Sequence, residues 1–155
     1  MERISKQDLP EGLMHAIMQV QAYINKAGLN KSMIELMQTR VSQINCCAYC
    51  LDMHSKEAVE AGESIQRLVS VSAWREAPYY APQERAVLQF AEVLTRLEEG
   101  ADLDLIHEEL LKYFTKQEIA LLTLSIAQIN LWNRLVKSFG TVAGSYQIQG
   151  ETSTV

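Results

Sequence analysis

The sequence predicts an all-α fold made of one domain. Apolar residues recur every three or four positions along most of the chain, and no alternating apolar and polar run bounded by turn residues indicates a strand. Glycine and proline, which interrupt helices, number only seven and three among 155 residues. A chain of this length with 48% hydrophobic residues buries one sizeable core, which we expect to span about residues 13–140.

The first three helices follow from apolar stripes and from signals at their ends. Helical spacing of apolar residues predicts a helix over 13–27 that stops at Gly28, and a second helix over 31–44. A third helix is expected to begin near Asn45, a residue type that favours helix N-termini, and to run to Gly62. The second and third helices would then form an antiparallel hairpin, because only a short turn joins them.

The helical pattern continues in the second half of the chain. A short apolar helix is expected over 65–74, followed by a connector over 75–82 that contains two prolines. The next helix is predicted to open just after Pro82 and to continue to Gly100, with a short amphipathic helix over 104–114 behind it. Each of these helices has an apolar face that would pack onto a common core.

The last helix is the longest and the most apolar. Thr115 lies three residues before Glu118, a capping-box pattern, and the helix is expected over 118–138 with its end at Gly140. Apolar residues lie on more than one of its faces, which predicts burial on several sides and motivates a homo-oligomer. The polar residues 145–155 are expected to form a flexible tail.

Composition argues against several function classes. The chain has 14 Lys and Arg against 19 Asp and Glu, so no basic surplus is available to bind nucleic acid. The longest apolar stretch, residues 119–127, is well short of the roughly 20 residues that span a bilayer, so no membrane partner is expected. The first residues show no signal-peptide pattern, which predicts a cytoplasmic protein. No glycine-rich phosphate loop occurs, so no nucleotide cofactor is expected.

The cysteines mark the candidate functional site. All three, Cys46, Cys47 and Cys50, lie within one turn of chain, where they cannot link distant segments as a secreted disulfide framework does. On a helix, Cys50 lies three residues after Cys47 and four before His54, so these three side chains share one face. The helix start favours a thiolate, and the imidazole can accept its proton. This pattern predicts a dithiol redox centre.

Hairpin geometry adds a carboxylate to this centre. Glu35 and His54 are equally distant from the expected turn, so the two side chains should face each other. A carboxylate beside an imidazole fixes its tautomer and raises its basicity. Glu35 otherwise lies within an apolar run, where an acidic residue is unusual.

The spacing of these residues resembles a known family. Glu35, eleven residues, Cys47-x-x-Cys50, three residues and His54 resemble the motif of the alkylhydroperoxidase AhpD-like group in the carboxymuconolactone decarboxylase superfamily. The segments 40–50 and 130–134 resemble that group as well. The resemblance implies an AhpD-like helical bundle, assembled as a homotrimer or homohexamer, that acts as a thiol peroxidase on organic hydroperoxides with peroxiredoxin-type activity.

The resemblance also implies roles for the four residues. Cys50 would be the peroxidatic thiolate, Cys47 the resolving thiol, and His54 with Glu35 the proton relay. The placement of His54 four residues after Cys50 supports that order independently. The electron donor of the family is an external dithiol on a lipoyl-bearing protein, so a donor of that kind is the expected partner.

Two positions depart from the family pattern. The histidine that precedes the second cysteine in well-known AhpD enzymes is Tyr49 here, and a phenol with a pKa of about 10 is a poor base at neutral pH. This difference predicts weaker peroxidase activity. Cys46 is an additional cysteine, which we expect to be a small buried apolar residue rather than a competing resolving thiol.

Other functions are compatible with the same residues. Cys47, Cys50, His54 and Glu35 could form a zinc site, but no second ligand pair occurs in the chain to complete a structural one, so no metal is expected. An AhpD-like dithiol–disulfide oxidoreductase, or a member of the decarboxylase superfamily without significant peroxidase activity, is a further alternative.

Overall fold

The structure is a computed structural model that describes residues 2–148. Within these residues the chain forms α-helices and turns without a strand, which confirms the predicted all-α class. The helices are α1 (Leu13–Lys26), α2 (Lys31–Ile44), α3 (Ala48–Glu60), α4 (Ile65–Ser70), α5 (Pro82–Arg96), α6 (Leu103–Leu110) and α7 (Lys116–Phe139). Two single-turn 3-10 helices, Lys6–Asp8 and Val71–Ala73, complete the regular structure. Most of the predicted tail, residues 149–155, lies outside the described residues.

The longest helix, α7, is the centre of the bundle. It contacts α1, α2, α3 and α5. The predicted capping box is present at its start, where the Glu118 carboxylate accepts the Thr115 backbone N–H at 2.7 Å and Thr115 Oγ1 accepts the Glu118 N–H at 3.2 Å. Its end is closed by Gly140, whose φ of 76° is a left-handed conformation that suits glycine.

Two hydrophobic clusters lie on either side of α2. The larger cluster lies between α2, α5, α6 and α7, and the smaller one lies between α2, α3, α4, α5 and the segment around residues 71–80. Met37 belongs to the larger cluster and Leu36 to the smaller one, and both are completely buried. Because α2 is packed on both sides, its position and rotation are tightly fixed.

By length and composition alone, α7 would also be long and apolar enough to cross a membrane. It has 24 residues, and an 18-residue stretch within it has a mean hydropathy of 1.3, a longer apolar segment than residues 119–127 indicated. Central helices of soluble proteins pass the same test, and the contacts of α7 with four other helices are those of a core helix. Leu131 on its outer side is 39% exposed.

Several helix boundaries differ from the sequence expectation. Helices α4 and α6 end at Ser70 and Leu110, four residues before the expected positions 74 and 114, and two further differences have a visible cause. Helix α5 ends at Arg96 rather than near Gly100, because Leu97 adopts a left-handed conformation with φ 51° and donates its N–H to the Val93 carbonyl at 2.9 Å. Helix α3 begins at Ala48, three residues later than Asn45. Asn45 instead closes α2, since its N–H bonds to the Val41 carbonyl at 3.0 Å.

The segment after α7 lies along α3 as far as it is described. The Gly144 N–H donates to Asp52 Oδ2 at 3.0 Å, and Lys56 Nζ donates to the Tyr146 carbonyl at 2.8 Å. The Tyr146 hydroxyl donates to the Glu57 carboxylate. The first residues of the predicted tail are therefore attached to the helix that carries Cys50.

A buried carboxylate connects α2, α5 and the turn after α4. Glu92 on α5 is 2% exposed; it accepts hydrogen bonds from Arg40 and Arg75, both at 2.6 Å, and from the Trp74 indole at 3.1 Å. Burial alone would raise the pKa of Glu92, but the hydrogen bonds from Arg75, Arg40 and Trp74 outweigh it and lower that pKa.

We predict that Glu92→Ala lowers the free energy of unfolding by about 3–5 kcal/mol at pH 7, since it leaves the largely buried Arg40 guanidinium without a carboxylate partner. The folded carboxyl has the lower pKa, so its contribution is complete above the unfolded value of 4.5 and is lost as the pH falls through the folded value. The difference between wild type and variant should therefore shrink in acid. Urea denaturation from pH 7 to pH 3 measures it.

The matched control is Glu109→Ala, which removes the partner of Lys112 on the exposed side of α6. Such a surface pair contributes little, so this variant should unfold like the wild type. A Glu92→Ala protein with unchanged stability at pH 7 would contradict the assigned role of the buried carboxylate.

Candidate active site

The site is built on the turn between α2 and α3. Cys46 lies in this turn with φ 51°, and Cys47 follows in extended conformation as the N-cap of α3. The Cys47 N–H donates to the Ser42 carbonyl at 3.0 Å, so the turn folds back onto the end of α2. The two helices therefore run antiparallel with an abrupt reversal, as the hairpin model predicts.

The Asn45 side chain fastens this turn to α7. Its amide nitrogen donates to the side-chain oxygens of Asn130 at 2.9 Å and Asn133 at 2.8 Å. The Asn133 amide donates in turn to Ser42 Oγ at 3.2 Å, and Lys137 Nζ donates to the Asn45 carbonyl at 2.8 Å. The residues around Asn130 that contribute to the family resemblance thus hold the turn that carries the cysteines.

Cys47 and Cys50 form a disulfide in the structure, with their Cα atoms 5.3 Å apart. Cys47 is the N-cap of α3 and Cys50 lies in its first turn, so both sulfurs are near the free N–H groups of the helix start. The two residues are 0% and 1% exposed. The oxidised pair is therefore shielded from solvent inside the chain.

Glu35 and His54 are in direct contact, as the hairpin geometry predicts. His54 Nδ1 lies 2.8 Å from Glu35 Oε2, and both side chains are largely buried. A carboxylate accepts hydrogen bonds, so Nδ1 is the protonated nitrogen of the neutral ring and Nε2 has the lone pair. Among residues 2–148, Nε2 is buried and has no hydrogen-bond partner. This nitrogen is free to accept a proton.

Cys46 contradicts the expectation of a buried apolar residue. It is exposed, and its thiol is free. The reason is the late start of α3: Cys46 lies in the turn before the helix, so it does not share a helical face with Cys50. Its thiol donates a long hydrogen bond of 3.9 Å to the Ile44 carbonyl.

Tyr146 lies near the site and was not identified from the sequence. Burial raises the pKa of its phenol, and the hydrogen bond to Glu57 and the charge of Glu57 raise it further, with smaller contributions from Tyr49 and Glu35. The residue is 89 positions from Glu57, and helical periodicity does not detect a contact between a tail and a helix. The only sequence signal is an aromatic residue in a polar segment.

The alternative of a metal site receives no support from the geometry. Across the described part of the chain, no group of three or more His, Cys, Asp or Glu side chains is arranged to hold a metal ion. Both sulfurs that the zinc alternative requires are engaged in the disulfide, and zinc binds thiolates. The arrangement instead combines a dithiol–disulfide pair with a proton acceptor.

Comparison with known proteins identifies the family. The model of the carboxymuconolactone decarboxylase family matches residues 11–93, more than half of the chain. The uncharacterized protein YdfG of Bacillus subtilis is 34% identical over 145 residues, which cover 93% of this chain and 98% of YdfG.

Solved structures agree with this assignment. A protein of unknown function from Agrobacterium tumefaciens, a candidate antioxidant defence protein AhpD, is 36% identical with a TM-score of 0.87 and covers 94% of this chain and 100% of its own. The AhpD core of a peroxidase-related protein from Ralstonia eutropha shares the fold at 22% identity, with a TM-score of 0.74 over 84% of this chain and 70% of its own. The chain therefore belongs to the carboxymuconolactone decarboxylase family and has the AhpD-like fold.

Proposed function

We propose that the protein is a thiol-dependent peroxidase that reduces organic hydroperoxides through the Cys47–Cys50 dithiol. The observation that carries this proposal is the buried disulfide at the start of α3, one turn before an imidazole whose Nδ1 is held by Glu35 and whose Nε2 has no partner among the described residues. Buried polar atoms usually have hydrogen-bond partners, so an unpartnered nitrogen on the residue one helical turn after Cys50 supports a role in proton transfer.

The cycle starts with reduction of the disulfide. An external dithiol attacks one sulfur, forms a mixed disulfide, and then closes to its own disulfide, which leaves thiols on Cys47 and Cys50. Two electrons and two protons pass from the reductant to the protein. We propose a lipoyl-bearing protein as this partner, because the lipoyl group is a mobile dithiol of small cross-section.

The reduced site would then react with the peroxide. His54 Nε2 accepts the Cys50 proton, and the thiolate attacks the terminal peroxide oxygen, so that the O–O bond breaks. Cys50 becomes a sulfenic acid, and the alkoxide leaves as an alcohol with the proton from His54. The Cys47 thiol attacks the Cys50 sulfur, forms the disulfide and releases water. In sum, one hydroperoxide and one dithiol give an alcohol, water and a disulfide.

The position of His54 favours Cys50 as the attacking thiol. On α3, His54 follows Cys50 by four residues and therefore lies on the same side of the helix. Cys47 is the N-cap and lies a further turn away, which suits a resolving thiol. Glu35 would stabilise the imidazolium that forms, since its carboxylate is 2.8 Å from Nδ1.

A cytoplasmic homotrimer or homohexamer completes the proposal. Apolar side chains remain exposed on α1 and α7, including Met18 at 49% and Leu131 at 39%. An assembly that covers them would bury apolar surface that a single chain leaves in water.

We predict that reduced Cys47→Ser protein stops at the sulfenic acid when it is treated with one equivalent of an alkyl hydroperoxide, because no resolving thiol remains. A sulfenic-acid-specific carbon nucleophile and mass spectrometry should locate the adduct on Cys50. The Cys46→Ser variant is the control, and it should still form the disulfide. An adduct on Cys46 of the Cys47→Ser protein, with Cys50 unmodified, would contradict the assigned order.

We predict that His54→Asn slows oxidation of the reduced protein by alkyl hydroperoxide about 10²–10³-fold at pH 7, as expected for loss of a general base. The deficit should shrink towards pH 10, because an ordinary cysteine thiol with a pKa of about 8.5 then ionises without assistance. Stopped-flow rates from pH 6 to pH 10 measure this dependence.

His107→Asn, at an exposed histidine on α6, is the control for this series and should react at the wild-type rate. Glu35→Gln, which keeps the shape of the side chain, should show a smaller deficit with the same pH dependence. A loss that is equal at every pH would mean that His54 only supports the structure. A protein whose thiols reduce disulfides but do not react with peroxide would favour the dithiol–disulfide oxidoreductase alternative.

A further inference from the structure

The segment that follows α7 wraps around α3, and we call its residues 142–148 the strap. On one side of α3, the strap is held by Asp52, which accepts the Gly144 N–H at 3.0 Å, and by Lys56, which donates to the Tyr146 carbonyl at 2.8 Å. Asp52 and Lys56 follow Cys50 by two and six residues, so both point away from the side of the helix that carries its sulfur. These two anchors fix the strap to the outer side of α3.

The Tyr146 side chain carries the strap round to the redox side of the helix. Cys50, His54 and Glu57 occur at intervals of four and three residues, so they form a row along one side of α3. The Tyr146 hydroxyl donates to the Glu57 carboxylate at the end of this row. One side-chain hydrogen bond therefore joins the strap to the row that contains the attacking thiol and its base.

The phenol ring of Tyr146 also lies near the flanks of the redox site. Burial and the bond to Glu57 raise the pKa of this phenol most, and the charges of Tyr49 and Glu35 raise it further, so both groups are close to the ring. Tyr49 directly precedes Cys50, and Glu35 contacts His54. The ring is therefore beside the redox pair and its dyad as well as at the end of the row.

The strap is attached by polar contacts at the surface. Val142, Ala143, Gly144, Ser145 and Gln147 are exposed, and Tyr146 is half-buried. Segments that bury little apolar surface and are held by solvent-accessible hydrogen bonds open locally at a small cost in free energy. The strap can therefore detach while the bundle stays folded.

We infer that the strap closes the redox site with Tyr146 as its latch, and that its release admits an external dithiol to the buried Cys47–Cys50 disulfide. The dithiol then attacks one sulfur and forms a mixed disulfide, and its second thiol displaces the protein sulfur. The reductant leaves as a disulfide, and two electrons and two protons remain on the protein as thiols. This inference concerns reduction of the disulfide, whichever oxidant forms it, and so goes beyond the proposed peroxidase function.

The test is the rate at which dithiothreitol reduces the oxidised protein, followed by alkylation of the new thiols and mass spectrometry. Tyr146→Phe keeps the ring and removes only the hydrogen bond to a carboxylate, so it should speed the reduction about tenfold. Tyr113→Phe is the matched control, because Tyr113 donates to the Glu109 carboxylate at 3.2 Å on the exposed side of α6. It should be reduced at the wild-type rate.

A second variant separates release of the strap from a direct effect of Tyr146 on the sulfurs. Asp52→Ala removes the acceptor of the Gly144 N–H on the side of α3 that faces away from Cys50. If the strap must detach, this variant should speed the reduction as well. Glu60→Ala removes a carboxylate from the exposed end of the same helix and should leave the rate unchanged.

Amide hydrogen exchange of the disulfide form, followed by NMR, measures the opening itself. The Gly144 N–H is bonded to Asp52 while the strap is closed. In Tyr146→Phe its exchange should speed up by the same factor as the reduction, because one opening governs both. The amides of α7 should exchange as in the wild type.

An unchanged reduction rate in Tyr146→Phe would overturn the inference, and so would an equal acceleration in Tyr113→Phe. Faster reduction without faster exchange of the Gly144 N–H would overturn it too, as would an acceleration that extends to the amides of α7. The proposed function fails separately, if the reduced protein does not react with an alkyl hydroperoxide while Tyr146→Phe still speeds reduction by dithiothreitol.

Discussion

The reversal between α2 and α3 is the constraint on which the site depends. Asn45 donates to Asn130 and Asn133, so the turn is fixed to the central helix α7 and not only to its own hairpin. With the turn fixed, the register of the two helices follows, and Glu35 meets His54 at 2.8 Å. A shift of one residue in the turn would rotate α3 by about 100° and separate the carboxylate from the imidazole. The helix before the turn is fixed as well, because α2 is packed between two hydrophobic clusters.

Burial defines the chemistry that this arrangement permits. The site is removed from solvent: the two bonded cysteines and His54 are buried, and Glu35 is largely so. In such an interior, electrostatic interactions are stronger than in water. The same burial means that neither a peroxide nor an external dithiol contacts the sulfurs until covering side chains move. The segment after α7 is held to α3 by Asp52, Lys56 and Glu57, three partly buried residues of that helix. The segment after α7 is therefore attached to the same helix that carries Cys50.

Those parts of the structure that depend on local pattern were predictable from the sequence. The bounds of α2 and the capping box of α7 follow from apolar spacing and end signals, and the Glu35–His54 contact needs only the position of the turn. The predicted start of α3 is wrong because Asn45 can either begin α3 or close α2, and it closes α2. Its partners on α7 are 85 and 88 residues away in the sequence. The expected burial of Cys46 is wrong as well, because this residue lies in the turn before α3. Contacts over such sequence separations, including that of Tyr146, depend on tertiary packing that periodicity does not encode.

The most direct test of a dithiol peroxidase site is to mix the fully reduced wild-type protein with an alkyl hydroperoxide in a stopped-flow instrument and to count thiols before and after. The structure and the proposed chemistry predict the loss of two thiols per chain, with Cys46 still free, at a rate far above that of free cysteine. Oxidation no faster than that of free cysteine, or loss of a single thiol at Cys46, would contradict a peroxidase function for the Cys47–Cys50 pair.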